Sequence, residues 1–150
     1  MPVTLQDLGW NDHFQDAFDA IAKPGWIPGR LIRETKINFT ALLDGGEDMD
    51  VVVSGKLWHD AATDAELPAV GDWVAIDPGE AEDEAVIRVI LPRRTCFSRK
   101  APGKSSAEQV LGANVDIVAV VTEPGTDFNP RRMERYFCLL YTSDAADDKA

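Results

Sequence analysis

Five short stretches rich in Val, Ile, Leu and Thr constrain the fold of this chain more than any other feature. They predict strands over residues 29–34, 38–44, 50–54, 72–77 and 85–91. Turn chemistry separates several of them, as at Asp44-Gly45-Gly46 and Asp77-Pro78-Gly79. An alanine-rich stretch over 59–67 predicts one or two helical turns between the third and fourth strands. This element order is that of a mainly β, five-stranded OB-fold barrel, with an SH3-like barrel as the nearest alternative.

A helix is predicted before the barrel. An apolar stripe recurs at spacings of four, four and three residues in Trp10, Phe14, Phe18 and Ile21. Asp12 with Gln15 resembles a capping box, so the helix is expected to begin near residue 12, and Pro24-Gly25 ends it. Such a stripe is typical of a face that docks on the rest of the protein.

A different pattern follows the barrel. Ser105-Ser106-Ala107-Glu108 predicts the start of a short helix that ends near Leu111. Residues 115–121 are almost continuously apolar and β-branched, which predicts a strand buried on both faces. Asn129-Pro130 supplies an N-cap and a first-turn proline for another helix. Helix, strand and helix in this order indicate the opening of an unfinished α/β domain.

The charge of the chain is uneven. Its 150 residues carry a net charge of −11, which by itself disfavours a nucleic-acid partner. Residues 85–107 nevertheless contain no acid and six basic residues, namely Arg88, Arg93, Arg94, Arg99, Lys100 and Lys104. The remaining residues therefore hold nine basic and 26 acidic side chains, a net charge of −17. A basic cluster is either a solvated loop or a surface that contacts phosphate.

The sequence does not contain a complete phosphate-binding loop. Gly103-Lys104-Ser105 resembles the end of one, but Ser98 stands where the pattern requires its first glycine. Pro102 also removes a backbone N–H where the loop would use donors to hold phosphate. We therefore expect Lys104 to belong to the basic cluster.

Other site classes are not indicated. His13 and His59 lack a Cys or His at ligand spacing, so no metal site is predicted. Cys96 and Cys138 fit neither a disulfide framework nor a zinc knuckle. No apolar run approaches the ~18–20 residues that span a bilayer, and the N-terminus has no secretory signal. We expect a monomeric cytoplasmic protein without a membrane partner.

Motifs in one collinear order from residue 8 to residue 137 point to a known family. They are Leu8-Gly9-Trp10, Gly29-Arg30, Ser54-Gly55-Lys56-Leu57-Trp58-His59, Pro68-Ala69-Val70-Gly71-Asp72-Trp73-Val74, Leu91-Pro92-Arg93-Arg94-Thr95, Ser98-Arg99-Lys100, Glu108-Gln109-Val110-Leu111, Ala113-Asn114-Val115-Asp116 and Asp127-Phe128-Asn129-Pro130-Arg131-Arg132. The set resembles the N-terminal part of the ribosome-small-subunit-dependent GTPases of the RsgA (YjeQ) family. No single motif is decisive, but the ordered set is specific.

This resemblance implies an OB-fold that docks on the small ribosomal subunit, followed by a circularly permuted GTPase domain and a zinc-binding domain. Such enzymes act late in small-subunit maturation, and the subunit stimulates their GTP hydrolysis. The rRNA-binding residues expected on this basis are Arg93, Arg94, Arg99, Lys100 and Lys104. The expected domains are an N-terminal helical extension (1–25), the OB-fold (26–97), a basic linker with a short helix (98–112) and the start of the GTPase domain (113–138).

The departures from the family pattern limit what this chain is expected to do alone. It lacks the Asn-Lys-x-Asp motif, the P-loop and the Asp-x-x-Gly switch, so no catalytic, GTP-binding or metal-binding residue is predicted. GTP, magnesium and zinc are implied only for the full-length family. Residues 139–150 do not match the family, and we expect a non-native tail from a truncated gene model. The alternatives are a stand-alone OB-fold module for nucleic acid and a protein-interaction barrel without catalysis.

Overall fold

The computed structural model describes residues 1–80, 83–100, 103, 107–126 and 128–147. Its elements are α1 (Asp12–Ile21), β1 (Ile27–Glu34), β2 (Phe39–Leu42), β3 (Asp48–Val53), α2 (Gly55–Asp60), a 3₁₀ turn (Asp64–Glu66), β4 (Trp73–Asp77), β5 (Ala85–Ile90), β6 (Cys96–Lys100), β7 (Glu108–Ala113) and α3 (Pro130–Asp147). None of the described helices is long and apolar enough to cross a membrane.

The first five strands form a closed barrel in the order β1-β2-β3-β5-β4. β1 pairs antiparallel with both β2 and β4, while β3 pairs parallel with β5 and completes the closure. α2 and the 3₁₀ turn lie between β3 and β4, where the sequence predicts helical turns. The prediction of a five-stranded OB-fold barrel is confirmed.

The barrel interior is filled by alternate residues of its strands, because successive side chains of a strand point to opposite faces. The buried cluster comprises Leu31, Phe39, Ala41, Val51, Val74, Ile76, Ala85 and Ile87. Gly29 allows the first strand to approach this cluster, since a Cβ at that position would lie 2.7 Å from Cδ1 of Ile76. The β2–β3 turn contains Gly45 and Gly46 at positive φ, as its sequence predicts.

The N-terminal helix docks on the barrel through its aromatic stripe. Phe14 is 2% exposed and packs with Trp10 against Trp73, whose ring centroid lies 4.8 Å from that of Trp10. The predicted docking face is confirmed. The helix begins at Asp12, but its N-cap is Asn11, whose Oδ1 accepts a hydrogen bond from the Phe14 N–H at 3.4 Å. The capping box predicted from Asp12 is therefore wrong by one position.

Two predictions after the barrel are wrong. Residues 108–113 form β7 instead of a helix and pair antiparallel with β6, with Cys96 opposite Ala113 and Lys100 opposite Glu108. The capping-box pattern is a weak local signal, and pairing with β6 outweighs it. Ser105 and Ser106, which carry that pattern, lie outside the described residues.

The apolar run over 115–121 does not form the predicted buried strand. Ile117 is 86% exposed and Val121 is 91% exposed. A strand needs a neighbour for its N–H and C=O groups, and no strand in the described ranges pairs with this run. The following helix α3 is present as predicted, and Asn129 caps it by accepting a hydrogen bond from the Arg132 N–H at 3.2 Å.

Candidate nucleic-acid interface and its junction with the barrel

Strands β6 and β7 form a two-stranded sheet outside the barrel. We call this sheet, together with residues 92–95 that lead into it, the basic hairpin. Arg94, Arg99 and Lys100 are exposed on it. Arg99 donates from Nε to Oε1 of Gln109 at 3.3 Å, and Lys100 lies opposite Glu108 in the strand register. Among the described residues, none of the three cations forms a salt bridge at the 4 Å limit. They are available to meet an anionic partner.

Two other members of the basic cluster are placed differently. Lys104 lies outside the described residues. Arg88, on β5, pairs with Asp77 on the neighbouring strand, with 2.9 Å between Nη2 and Oδ2. The pKa of Asp77 is lowered first by a hydrogen bond from the Gly79 N–H and then by this arginine. Of the described members of the basic cluster, only Arg94, Arg99 and Lys100 are therefore exposed and without a salt bridge within the described residues.

Arg93 points into the protein, although Arg94 beside it is exposed. Its Nε and Nη2 atoms donate to the two carboxylate oxygens of Asp72, both at 2.8 Å. Its Nη1 and Nη2 atoms also donate to the carbonyl oxygens of Ala65 at 2.8 Å and Leu67 at 2.9 Å. The side chain is 18% exposed. Four of the five guanidinium N–H donors are used internally, which favours a structural role for this residue.

Asp72 is the buried partner of this pair, and its side chain is 0% exposed. Its Oδ2 also accepts a hydrogen bond from the Ala69 N–H at 2.8 Å. Burial tends to lower the pKa of Arg93, but its hydrogen bonds to Asp72 and the charge of that carboxylate outweigh burial and raise it. A buried bidentate pair of this kind is strongly coupled, since removal of either partner leaves an uncompensated charge.

A second guanidinium, that of Arg30 on β1, joins three parts of the chain. It donates to the carbonyl oxygen of Leu8 in the N-terminal segment and to that of Gly71 in the barrel at 3.2 Å. Its Nη2 donates to the carbonyl oxygen of Asn114, 84 positions later in the chain, at 2.8 Å. The guanidinium carbon lies 5.7 Å from the ring centroid of Trp73. Burial lowers the pKa of Arg30, while Asp116 and Asp72 oppose that shift.

Asn114 completes the junction between barrel and hairpin. It is the only described non-glycine residue at positive φ, at 54°, a region that asparagine tolerates better than most residues. Its Nδ2 donates to the carbonyl oxygen of Gly71 at 3.1 Å, and its Oδ1 accepts from the Arg94 N–H at 2.8 Å. The Ala113 N–H donates to the Val70 carbonyl at 2.9 Å. Hydrogen bonds from three segments therefore converge on this point.

Cys96, the first residue of β6, is half-buried beside this junction. Burial raises the pKa of its thiol, although Arg93 opposes the shift. A thiol with a raised pKa stays protonated at neutral pH and does not suit nucleophilic chemistry. The role of the junction that these contacts support is therefore structural.

The barrel face that OB-folds commonly use for oligonucleotides is acidic in this chain. That face consists of strands β2 and β3 together with the β1–β2 and β4–β5 loops. Exposed acids on β3, the turn before it and the described part of the β4–β5 loop are Asp44, Glu47, Asp48, Asp50, Glu80, Asp83 and Glu84. These acids outnumber the exposed Lys36 of the β1–β2 loop and disfavour phosphate there, so the basic hairpin is the better candidate for RNA contact.

Comparison with known proteins identifies relatives for almost the whole chain. No protein-family model matches it. It is 42% identical over 151 residues to the small ribosomal subunit biogenesis GTPase RsgA of Opitutus terrae, an alignment that covers 95% of this chain and 41% of the relative. It is 39% identical over 150 residues to RsgA of Syntrophotalea carbinolica, covering 95% of this chain and 40% of that protein. The resemblance to the RsgA family is confirmed.

The chain matches an N-terminal part of RsgA and spans about two-fifths of the length of these curated relatives. Among solved structures, that of YjeQ from Thermotoga maritima matches with a TM-score of 0.54 and 21% sequence identity. The match covers 79% of this chain and 38% of the YjeQ chain. At this identity the likeness concerns the fold.

The residues of the junction lie in the motifs through which the sequence resembles the RsgA family. These residues are Arg30, Gly71, Asp72, Arg93 and Asn114. Sequence reasoning assigned no role to four of them and placed Arg93 on the RNA surface. Their roles depend on hydrogen bonds between residues up to 84 positions apart. Such distant pairing produces no periodicity or spacing in the sequence from which it could be predicted.

Proposed function

We propose that this chain docks on the small ribosomal subunit and contacts its RNA through the basic hairpin, as the N-terminal part of an RsgA-type GTPase that acts in late small-subunit maturation. The observation that carries the proposal is the exposure of Arg94, Arg99 and Lys100 on a hairpin outside an acidic barrel. The proposed rRNA contacts include Lys104, which follows in the sequence. The name of the RsgA relatives, small ribosomal subunit biogenesis GTPase, supports the small ribosomal subunit as the partner.

Electrostatics defines how such a surface binds. Each phosphate that a cation neutralises releases condensed counterions, so the affinity falls linearly with salt on a double-logarithmic scale. The acidic β2–β3 face keeps the same phosphates away from the barrel and orients the complex. Binding is therefore expected to be salt-dependent despite the overall net charge of −11.

The test is binding of the full chain to purified small ribosomal subunits across a salt series. The triple variant Arg94→Ala/Arg99→Ala/Lys100→Ala is expected to bind about a hundredfold more weakly near 0.1 M salt, with a salt slope lower by about 2–3. Arg88→Ala is the matched control, because that arginine is paired with Asp77 on the barrel. An unchanged slope for the triple variant would contradict the proposed interface.

We further propose that this chain does not bind GTP, magnesium or zinc by itself. The three GTPase motifs are absent from its sequence. The partial match Gly103-Lys104-Ser105 does not fit phosphate, since a P-loop is followed by a helix whereas Glu108–Ala113 is a strand. Titration with a fluorescent GTP analogue and Mg²⁺ is expected to show no saturable signal, with a full-length RsgA relative as the positive control. Saturable, Mg²⁺-dependent binding would refute this part of the proposal.

A protein-interaction barrel is the second candidate, and the acidic β2–β3 face favours it. Charge reversal through Arg94→Glu, Arg99→Glu and Lys100→Glu separates the two, because only RNA contact depends on these cations. Unchanged subunit binding by the reversed variant would indicate a protein partner. A stand-alone OB-fold module is less well supported, since the similarity to RsgA extends past the barrel over 95% of the chain.

We retain the predicted organisation as part of the proposal. The chain would be a cytoplasmic monomer with a helical extension (1–25), the OB-fold (26–97), a basic linker (98–112) and the start of the GTPase domain (113–138). Size-exclusion chromatography with light scattering tests the monomer. The basic linker (98–112) contains most of strands β6 and β7 instead of the predicted helix.

A further inference from the structure

Several contacts between the basic hairpin and the barrel are polar and directional. Arg93 reaches Asp72, Arg30 reaches the Asn114 carbonyl, and the Asn114 amide reaches the Gly71 carbonyl. Hydrogen bonds depend on angle, whereas apolar burial is non-directional. These side chains therefore restrain the angle at which the hairpin leaves the barrel. We call them the junction clamp: Arg30, Asp72, Arg93 and Asn114.

We propose that Arg93 is a positioning residue which, as part of the junction clamp, holds the basic hairpin in the orientation that presents Arg94, Arg99 and Lys100 to RNA. Its own guanidinium does not contact phosphate. This inference rests on the proposed function as far as RNA is concerned, but the clamp itself is a property of the folded chain. Among the described members of the predicted RNA-binding set, Arg93 is the one whose side chain is largely buried, and the inference gives it a different role.

The geometry supports this assignment in two ways. Four of the five N–H donors of Arg93 are used within the protein, since both oxygens of Asp72 and two backbone carbonyls accept from them, and its side chain is 18% exposed. To reach phosphate it would have to leave Asp72, which is 0% exposed, without a charge partner. Its neighbour Arg94 has the opposite placement, with its backbone N–H bonded to Asn114 and its side chain exposed. The clamp thus holds the backbone from which an RNA-facing side chain projects.

Arg30 provides the same restraint from the other side. Its N–H groups donate to the carbonyl oxygens of Leu8, Gly71 and Asn114. One guanidinium therefore connects the N-terminal segment, the barrel and the end of the hairpin. Arginine suits this use because its planar fork is pre-organised and remains charged when partly buried. Loss of the clamp is expected to loosen the hairpin while leaving its cations in place.

The experiment combines two readouts on the full chain with the double variant Asp72→Leu/Arg93→Met. This variant removes both charges together, so no buried ion is left unpaired and the barrel is expected to fold. In hydrogen exchange, the Ala113 amide, which bonds to Val70, should exchange at least about tenfold faster, while the Ile76 amide within the barrel stays unchanged. In binding to purified small subunits, affinity should fall about tenfold with the salt slope unchanged, because the phosphate contacts remain.

Arg99→Ala is the matched comparison and should give the reverse pattern. Its salt slope should fall by roughly 0.7–0.9 with no change in exchange at Ala113. If the double variant instead lowers the salt slope by that amount and leaves the Ala113 amide protected, Arg93 contacts phosphate and the inference is overturned. If the unmodified chain binds no subunits, the proposed function fails, and the exchange result alone decides the clamp: faster exchange supports it and unchanged exchange refutes it.

Discussion

Gly71→Ala is expected to detach the hairpin from the barrel and to lower the stability of the whole chain. Gly71 has φ +93°, and a Cβ there would lie 2.0 Å from the carbonyl oxygen of Ala113. The next atoms it would meet, at 3.0 and 3.2 Å, are also backbone atoms of Ala113. The clash therefore cannot be relieved by the rotation of a side chain. The Gly71 N–H bond to the Leu31 carbonyl at 2.7 Å and the Ala113 bond to Val70 would both be disturbed.

The expected loss for Gly71→Ala is about 3–5 kcal/mol, in the range that only severe clashes and strain produce. Thermal unfolding followed by circular dichroism should show a Tm lower by roughly 8 °C or more. Gly25→Ala is the matched control, because Gly25 has a similar φ of +89° and nothing within 4 Å of the added Cβ. It should cost only the backbone strain of about 1–2 kcal/mol. Equal losses for the two variants would show that the close contact with Ala113 does not exist.

The second large effect is expected from Asp72→Ala. This change leaves the Arg93 guanidinium without its carboxylate and the Ala69 N–H without its acceptor. Breaking a buried pair by removing one partner costs about 3–5 kcal/mol, because the other charge stays in a poorly solvated place. Urea unfolding is expected to show a correspondingly lower midpoint with little change in the slope.

The double variant Asp72→Leu/Arg93→Met provides the control for that result. With both charges gone, most of the lost stability should return, to within about 1–2 kcal/mol of the unmodified chain. Asp77→Ala, which breaks the partly exposed pair with Arg88, should have a much smaller effect than Asp72→Ala, since solvent screens that pair. If Asp72→Ala proves no more destabilising than Asp77→Ala, then the Asp72–Arg93 pair is not buried in solution.

The barrel could be predicted from the sequence because its signals are local. Alternating apolar residues in β1–β5 and the turn at Gly45-Gly46 need no information from distant residues. The same holds for the docking face of α1, whose spacing brings Phe14 and Phe18 to one side of the helix. The start of α3 was predictable from Asn129-Pro130 for the same reason.

The strand β7 shows where local signals are insufficient. Its residues follow a sequence typical of a helix N-terminus, yet Glu108–Ala113 pairs with β6. The pairing partner decides the conformation, because a neighbouring strand satisfies backbone groups that the local sequence leaves open. The exposed run over 115–121 is the reverse case, an intrinsically β-like sequence without a paired strand among the described residues.

The sequence could locate the basic cluster, but it could not show which of its side chains face solvent. A count of charges finds a basic cluster of six residues between 85 and 107 and sets it against an acidic remainder. It does not distinguish Arg93 from Arg94, since both are arginines in the same motif. Only folding places Asp72, 21 positions earlier, against the first of them.

The sequence by itself determined the closed barrel, the helix docked on it and the uneven charge, since these depend on periodicity, turn chemistry and composition. The family resemblance was also visible in the sequence, through its ordered motifs. The tertiary structure alone decided which cations face solvent and which hold the hairpin to the barrel. Burial of Asp72 draws Arg93 inward, because an unpaired carboxylate in that position would be costly. Arg94, which has no buried acid to meet in the described structure, keeps its side chain at the surface.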